Sequence, residues 1–214
     1  MLRYLYADEL RAYPVLRETM FCDRADQFHT RLGWDVTVDE NGWEHDQYDA
    51  LNPLYVIWER PDGTHGGSMR FLPTTGRTMV NEHFLNLTDG VEIRSPLIWE
   101  CTRFCLNRDA ESRVAGALML GGGELMRNFG LTNFVGVFDA RMIRIYRMIG
   151  SSPVVLGTTG SGRDAISVGL WDYSDEAREK VIERAQVSSL LSERWFDNAF
   201  GHRTDMRAAM RLTA

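Results

Sequence analysis

Residues 97–106, Leu-Ile-Trp-Glu-Cys-Thr-Arg-Phe-Cys-Leu, place an acid, Glu100, and a base, Arg103, inside an otherwise apolar and aromatic run. An unpaired charge buried there costs on the order of several kcal/mol. Either the pair anchors a central strand as a structural ion pair, or it serves chemistry. A carboxylate in a low-dielectric strand can have its pKa raised until it accepts a proton near neutrality, and a guanidinium can orient an anion through two parallel hydrogen bonds. The same mixture recurs elsewhere: Arg24, Asp46, Asp49 and Arg70 also sit beside aromatics and not on charge-rich helical faces.

Counting by two along 97–106, Ile98, Glu100, Thr102, Phe104 and Leu106 share one face of a strand, and Trp99, Cys101, Arg103 and Cys105 the other. Regular alternation thus separates Glu100 from Arg103. If both line one pocket, the strand must carry a bulge or twist near Cys101 or Thr102.

Around this strand, the pattern predicts a short strand over 2–6, a helical stretch over 7–20 with Pro14 as break or boundary, and a polar helix over 23–32 ending at Gly33. Arg24 and Phe28, four apart, share a face of that helix, and Trp34 follows at its exit. Residues 35–52 are acidic, aromatic and aperiodic, a loop length usually mobile or functional. Residues 54–59 and 67–72 read as a hairpin around Pro61-Asp62-Gly63 that carries Arg70, and 78–87 as a short helix or ordered loop. A long helix over 111–129 follows, which Gly121-Gly122-Gly123 should weaken unless close packing or a bend requires them. Then come a strand over 133–138, a helix over 140–149, a strand pair over 153–156 and 165–171, and an amphipathic helix over 174–191 with a polar helical tail. This order predicts an α/β fold, a three-layer α/β/α sandwich with a mixed central sheet, in one domain spanning 1–214.

Composition narrows the function. The 214 residues are 44% hydrophobic, enough for one sizeable core. A net charge of -6 and a pI near 5.4 argue against a nucleic-acid partner, which needs clustered positive charge. Cys22, Cys101 and Cys105, odd in number and without metal-ligand spacing, read as reduced thiols. Residues 1–9 already carry Arg3, Asp8 and Glu9, so neither a signal peptide nor a membrane span is expected, and the protein reads as cytoplasmic. Gly-Thr-Thr-Gly-Ser-Gly over 157–162 lacks the Walker lysine and the dinucleotide spacing, and reads as a flexible turn. His29, His45, His65, His83 and His202 show no zincin pairing, and there is no Gly-x-Ser-x-Gly elbow. No metal site is expected, and metal-dependent or serine hydrolysis is disfavoured.

The charged constellation is more specific. Arg24 and Phe28 with Trp34, Asp46-Gln47-Tyr48-Asp49, Arg70-Phe71-Leu72-Pro73-Thr74-Thr75-Gly76 with Phe84 downstream, and Trp99-Glu100-Cys101-Thr102-Arg103-Phe104 together resemble the acyl-homoserine-lactone synthases, the autoinducer synthases of bacterial quorum sensing. The resemblance implies a fold similar to the GNAT acyltransferases and a two-step reaction. The α-amine of S-adenosylmethionine attacks an acyl thioester carried by acyl carrier protein or coenzyme A. The carboxylate of the product then displaces the sulfonium at Cγ, giving the lactone and methylthioadenosine. S-adenosylmethionine is thus a substrate, and no cofactor is implied.

The same resemblance implies roles. Glu100 is the expected base, directly or through a water, with Arg70 and Arg103 beside it. Arg24, Arg70 and Arg103 with Asp46 and Asp49 are expected to hold the amino-acid end of the substrate, Phe28 and Trp34 its adenine or sulfonium, and a backbone N–H near Phe104 the thioester oxyanion. Phe84, Trp99, Leu118, Met119, Val137 and Met142 are expected to line the acyl pocket. In this family a hydroxyl on the strand equivalent to 133–138 accompanies 3-oxo chains; Gly136 and Phe138 stand there instead, which points to an unsubstituted chain. Arg141, Arg144 and Arg147, three apart on one helix, form either a solvated face or a docking stripe for acidic carrier protein. Two rival readings share the fold: a GNAT-like N-acyltransferase for another amine, and a non-catalytic carrier-binding module.

Overall fold

A computed structural model describes residues 1–212, with side chains described for residues 1–201; the His202 side chain lies outside the described residues. Seven strands form one sheet in the order β1-β2-β3-β4-β5-β7-β6. They are β1 Leu2–Tyr6, β2 Leu54–Glu59, β3 His65–Pro73, β4 Ile98–Leu106, β5 Asn133–Asp139, β6 Val154–Thr159 and β7 Ile166–Asp172. All neighbours are antiparallel except β4 and β5. β2 and β3 are buried along nearly their whole length, because helices cover both faces.

On one face α3 (Arg113–Phe129), α5 (Asp175–Ala185) and α6 (Ser189–Leu212) close over Leu2, Tyr4, Val56, Met69, Phe71 and Phe134. On the other, α1 (Pro14–Arg24) covers Leu5, Tyr55 and Ile57, while α2 (Met79–His83) and the turn after it cover Val135 and Val168. The layers are those of the expected α/β/α sandwich with a mixed sheet. Among the described residues, no helix is long and apolar enough to cross a membrane.

Three local expectations change. Pro14 opens α1, as its fixed φ and missing N–H allow, and α1 runs without a break at residue 23 into a π-helical turn, Ala25–Arg31. Residues 174–191 are not one helix: Gln186, left-handed at φ 52°, separates α5 from α6. Residues 157–159 belong to β6, where a Cβ on Gly157 would come within 2.2 Å of the Leu87 carbonyl oxygen, so the turn begins only at Gly160.

Two features prepare the site. β4 and β5 pair only over Ile98–Glu100 and 133–135, then part. The α3 glycines, each costing about 1 kcal/mol against alanine in a helix interior, differ in their surroundings. A Cβ on Gly121 would press within 2.7 Å of Val56 Cγ1, so close packing against the sheet requires that glycine.

Candidate active site

In the β3–β4 ladder Arg70 faces Thr102 and Ser68 faces Cys105, so β4 carries one residue more than β3 between these pairs. The bulge lies one residue beyond the expected place, and Arg103 adopts φ 53° within it. A left-handed non-glycine residue costs about 1 kcal/mol and persists only where its surroundings hold it. The extra residue shifts parity: Arg103 joins Glu100 and Thr102 on one face, while Phe104 moves to the α3 face with Trp99 and Cys101, against simple alternation.

Gln27, on the π-helical turn, holds this bulge from outside. Its Nε2 donates to the Phe104 carbonyl at 2.9 Å, and its Oε1 accepts from the Leu106 N–H at 2.9 Å, replacing the partner strand. Sequence reading passed over Gln27; a polar residue beside Arg24 and Phe28 on the same turn was the available signal.

Three arginines and three acids interlock behind the loop at 44–49. Arg24 donates from Nε to Glu44 at 2.6 Å and from both terminal nitrogens to Asp49 at 3.1 and 2.9 Å. Arg70 donates to Asp49 at 2.8 Å, to Asp46 Oδ2 at 2.9 Å and to Thr102 Oγ1 at 3.0 Å. Arg103 reaches Glu44 at 2.9 Å and Asp46 at 2.8 Å. Tyr55 OH adds a 2.6 Å bond to Asp49. Burial by itself would raise the Asp49 and Asp46 pKa values; the facing guanidiniums outweigh it and hold both below the usual carboxylate range, Asp49 far below. Glu44, a full member of this network, lies in the acidic, aperiodic stretch 35–52, where its sequence surroundings do not set it apart.

Glu100 stands apart from these pairs. Its carboxylate accepts the N–H of Met79 at 3.0 Å and of Val80 at 2.6 Å, at the start of α2. Its partners are amides and not a guanidinium, which removes the structural ion-pair alternative. Burial drives its pKa up to about 7 despite the opposing N–H bonds. Tyr48 ties the acidic loop to the same helix, its OH donating 2.8 Å to Glu82 Oε2, and Arg77 pairs with that carboxylate at 2.6 Å.

In front of this network opens a cleft of about 790 Å³, whose walls include Phe28, Trp34, Glu44, Asp46, Phe84, Thr102, Arg103 and Met142. Phe28 and Trp34 stack at 5.3 Å, and Arg103 lies 5.4 Å from the Phe28 ring. Under α3 lies a narrow cavity of about 80 Å³, lined among others by Met69, Phe71, Met119 and Phe134. Phe104, Val137 and Tyr146 line both spaces, so the two meet where β4 and β5 part.

Several expected positions are reassigned. Arg24 and Arg70 are fully buried and absent from the cleft wall; they hold the acids that form it. Glu100, 1% exposed, sits behind Thr102 and Met79 instead of at the surface of the cleft. Trp99 packs on Phe129 at 5.7 Å, and Leu118 is fully buried in the α3 core, so neither lines either space. On α4 (Ala140–Ile149) Arg141 folds back on Asp139 at 2.6 Å, while Arg144 and Arg147 are exposed.

Comparison with known proteins agrees with this architecture. A family model described as autoinducer synthase matches residues 9–181. An acyl-homoserine-lactone synthase of Rhizobium etli is 40% identical over 200 residues, covering 90% of this chain and 93% of the relative. Among solved structures, the CoA-dependent acyl-homoserine lactone synthase BjaI, with SAM and isopentyl-CoA, superposes with a TM-score of 0.76 at 22% identity, over 88% of this chain and 90% of that one. A putative N-acetyltransferase from Lactobacillus plantarum shares the fold at a TM-score of 0.52 and 11% identity, over 81% and 99% of the two chains. With its motif residues gathered along and behind the wall of one cleft and its sequence matched along most of its length, the chain belongs to the autoinducer synthase family, the acyl-homoserine-lactone synthases.

Proposed function

We propose that this enzyme joins S-adenosylmethionine to an acyl thioester in the cleft and closes the product to an acyl-homoserine lactone. The observation that carries the reading is the meeting of an acid- and aromatic-lined cleft with an apolar cavity at Phe104 and Val137. The sulfonium and amine fit the cleft, where Glu44 and Asp46 supply negative charge and Phe28 and Trp34 aromatic faces. Arg103, whose Nη1 takes no part in the hydrogen bonds to Glu44, orients the substrate carboxylate. The acyl chain enters the cavity.

The amine must lose a proton to act as nucleophile. Glu100 takes it through a water, because its carboxylate lies behind the cleft wall. Nitrogen bonds to the thioester carbon, an N–H near Phe104 steadies the oxyanion, and the thiolate leaves. In the second step the substrate carboxylate oxygen bonds to Cγ as the C–S bond breaks, releasing methylthioadenosine as a neutral thioether. No cofactor takes part. Gly136 and Phe138, on either side of Val137 in β5, supply no hydroxyl from that strand, which fits a chain unsubstituted at its 3-position. The relative BjaI holds SAM and isopentyl-CoA; here coenzyme A and an acidic carrier protein are both candidate carriers, the latter docking on Arg144 and Arg147. Both substrates place the reaction in the cytoplasm.

Purified protein given S-adenosylmethionine and either acyl-coenzyme A or acyl-carrier protein is expected to release methylthioadenosine and an organic-extractable lactone in equal amounts. Free thiol released only when another amine is supplied would identify an acyltransferase for that amine, and carrier retention without turnover a binding module. Arg144→Glu should raise KM for the carrier-protein donor and not for the coenzyme A donor; equal KM changes count against docking there.

The bulge yields a second expectation. Gln27→Met removes both hydrogen bonds at nearly constant shape, so Arg103 should lose its fixed aim. Affinity for S-adenosylmethionine is expected to fall about tenfold, as for directly coupled residues. Methylthioadenosine, which lacks the amino-acid end, should bind as before; calorimetric titration of both ligands decides, and an equal loss for the two would remove Gln27 from this role.

A further inference from the structure

The three consecutive glycines of α3 are explained only in part by packing. Gly121 must be glycine, because Val56 leaves no room for a Cβ. Gly122 is different: a Cβ there would meet Met69 Cε and Phe134 Cε2 at 3.5 Å, which is ordinary contact. At Gly123 a Cβ would meet nothing within 4 Å. Neither residue has a positive φ, so backbone geometry does not demand glycine at either. The helix therefore bears a stability penalty at two positions with no local structural reason.

Both residues line the narrow cavity under α3. That cavity meets the cleft at Phe104, Val137 and Tyr146, and its wall also includes Asp172 and Ser174, which are exposed. Side chains at 122 and 123 would stand on the wall of this cavity, that at 122 against Met69 and Phe134, which line it too.

We propose that Gly122 and Gly123 are specificity-determining residues: their missing side chains keep the cavity open for acyl chains long enough to run beneath α3, and so set the upper length of the acyl group. The proposal rests on the acyl-thioester reading above and extends it to the substrate class, thioesters of extended straight-chain acyl groups. Stability and specificity oppose each other at these positions, so the two can be read separately. A purely structural glycine would lose stability on substitution. A glycine kept for cavity space should gain stability and lose long substrates.

The test measures thermal unfolding and kcat/KM for a ladder of straight-chain acyl thioesters on parental protein, Gly122→Ala, Gly123→Ala and Gly123→Leu. The alanine variants are expected to unfold at a higher temperature than the parent, since alanine is the better helix former. Gly123→Leu is expected to lose at least about tenfold in kcat/KM for the longest accepted thioester relative to the shortest, as a filled apolar pocket discriminates by chain length. KM for S-adenosylmethionine should be unchanged in all three. Should Gly123→Leu not fold, the alanine variants carry the test through a smaller shift in the same direction. Stable variants with the parental length profile overturn the proposal, as does a lower unfolding temperature for Gly123→Ala. A parental protein that makes no lactone from any thioester overturns the acyl-thioester reading and this proposal together, whereas active parent and unaltered variants overturn this one alone.

Discussion

Glu100→Gln is expected to lower kcat by about 10²- to 10⁴-fold, the range for loss of a positioned general base. The substitution preserves side-chain volume in a site where Glu100 is 1% exposed. It keeps one oxygen to accept from Met79 or Val80 and turns an NH₂ toward the other N–H, so a modest loss of stability accompanies the catalytic one. Circular dichroism and near-parental substrate affinity would establish that the variant is folded.

The pH dependence separates the base from the substrate amine. With Glu100 raised to about 7, the base is mostly protonated below that pH and available above it, so the rate should rise as pH passes through about 7. In the parent Glu100 removes the ammonium proton, so kcat/KM should climb with a limiting slope near one and level off as pH passes about 7. In the glutamine variant the amine must arrive already neutral, so the climb should extend to the ordinary α-amine value of roughly 7.7 to 8. A parental midpoint and rate in the variant would remove Glu100 as base.

The second large effect concerns stability. Asp49→Ala is expected to cost about 3–5 kcal/mol, the range for removing one partner of a buried charge pair. Asp49 carries both terminal nitrogens of Arg24, one nitrogen of Arg70 and the Tyr55 hydroxyl, and it accepts the Asp46 N–H at 3.0 Å. Without it two fully buried guanidiniums keep their charge and lose part of its compensation. For a chain of this size, the loss corresponds to a fall in Tm of about 10 °C, read by calorimetry or thermal circular dichroism. The pH sign follows from the depressed folded-state pKa. The contribution of Asp49 is complete above its unfolded value of about 3.9, and is lost as pH falls through the lower folded one. The stability gap between parent and variant should thus be constant at neutral pH and shrink only in strong acid. A gap that closed near pH 6 would contradict the network.

Much of the site is legible in the chain because buried charge is costly and therefore conspicuous. Arg24, Asp46, Asp49, Arg70, Glu100 and Arg103 stand out among aromatics; all but Glu100 converge within one network, and Glu100 lies behind the wall of the cleft before it. Even the irregularity in β4 is legible, since regular alternation would send Glu100 and Arg103 to opposite faces; of bulge and twist, the strand carries the bulge. The partners are less so. Glu100 takes its hydrogen bonds from two backbone amides, and every residue type but proline carries an amide. Gln27 reaches residues 77 and 79 positions away, a distance over which local pattern carries no signal. The α5–α6 break depends on Gln186, whose left-handed backbone no composition rule assigns to glutamine.

Residue types and their order alone determined that this chain buries charged chemistry in a mixed α/β sandwich, since periodicity and the cost of unpaired charge are local properties. Tertiary structure alone decided which arginines face the cleft and which stand behind it, that Glu100 rests on amides, and that two glycines line a cavity. Those outcomes depend on which distant surfaces meet when the sheet closes, and on the one extra residue in β4 that turns Arg103 toward Glu44 and Asp46.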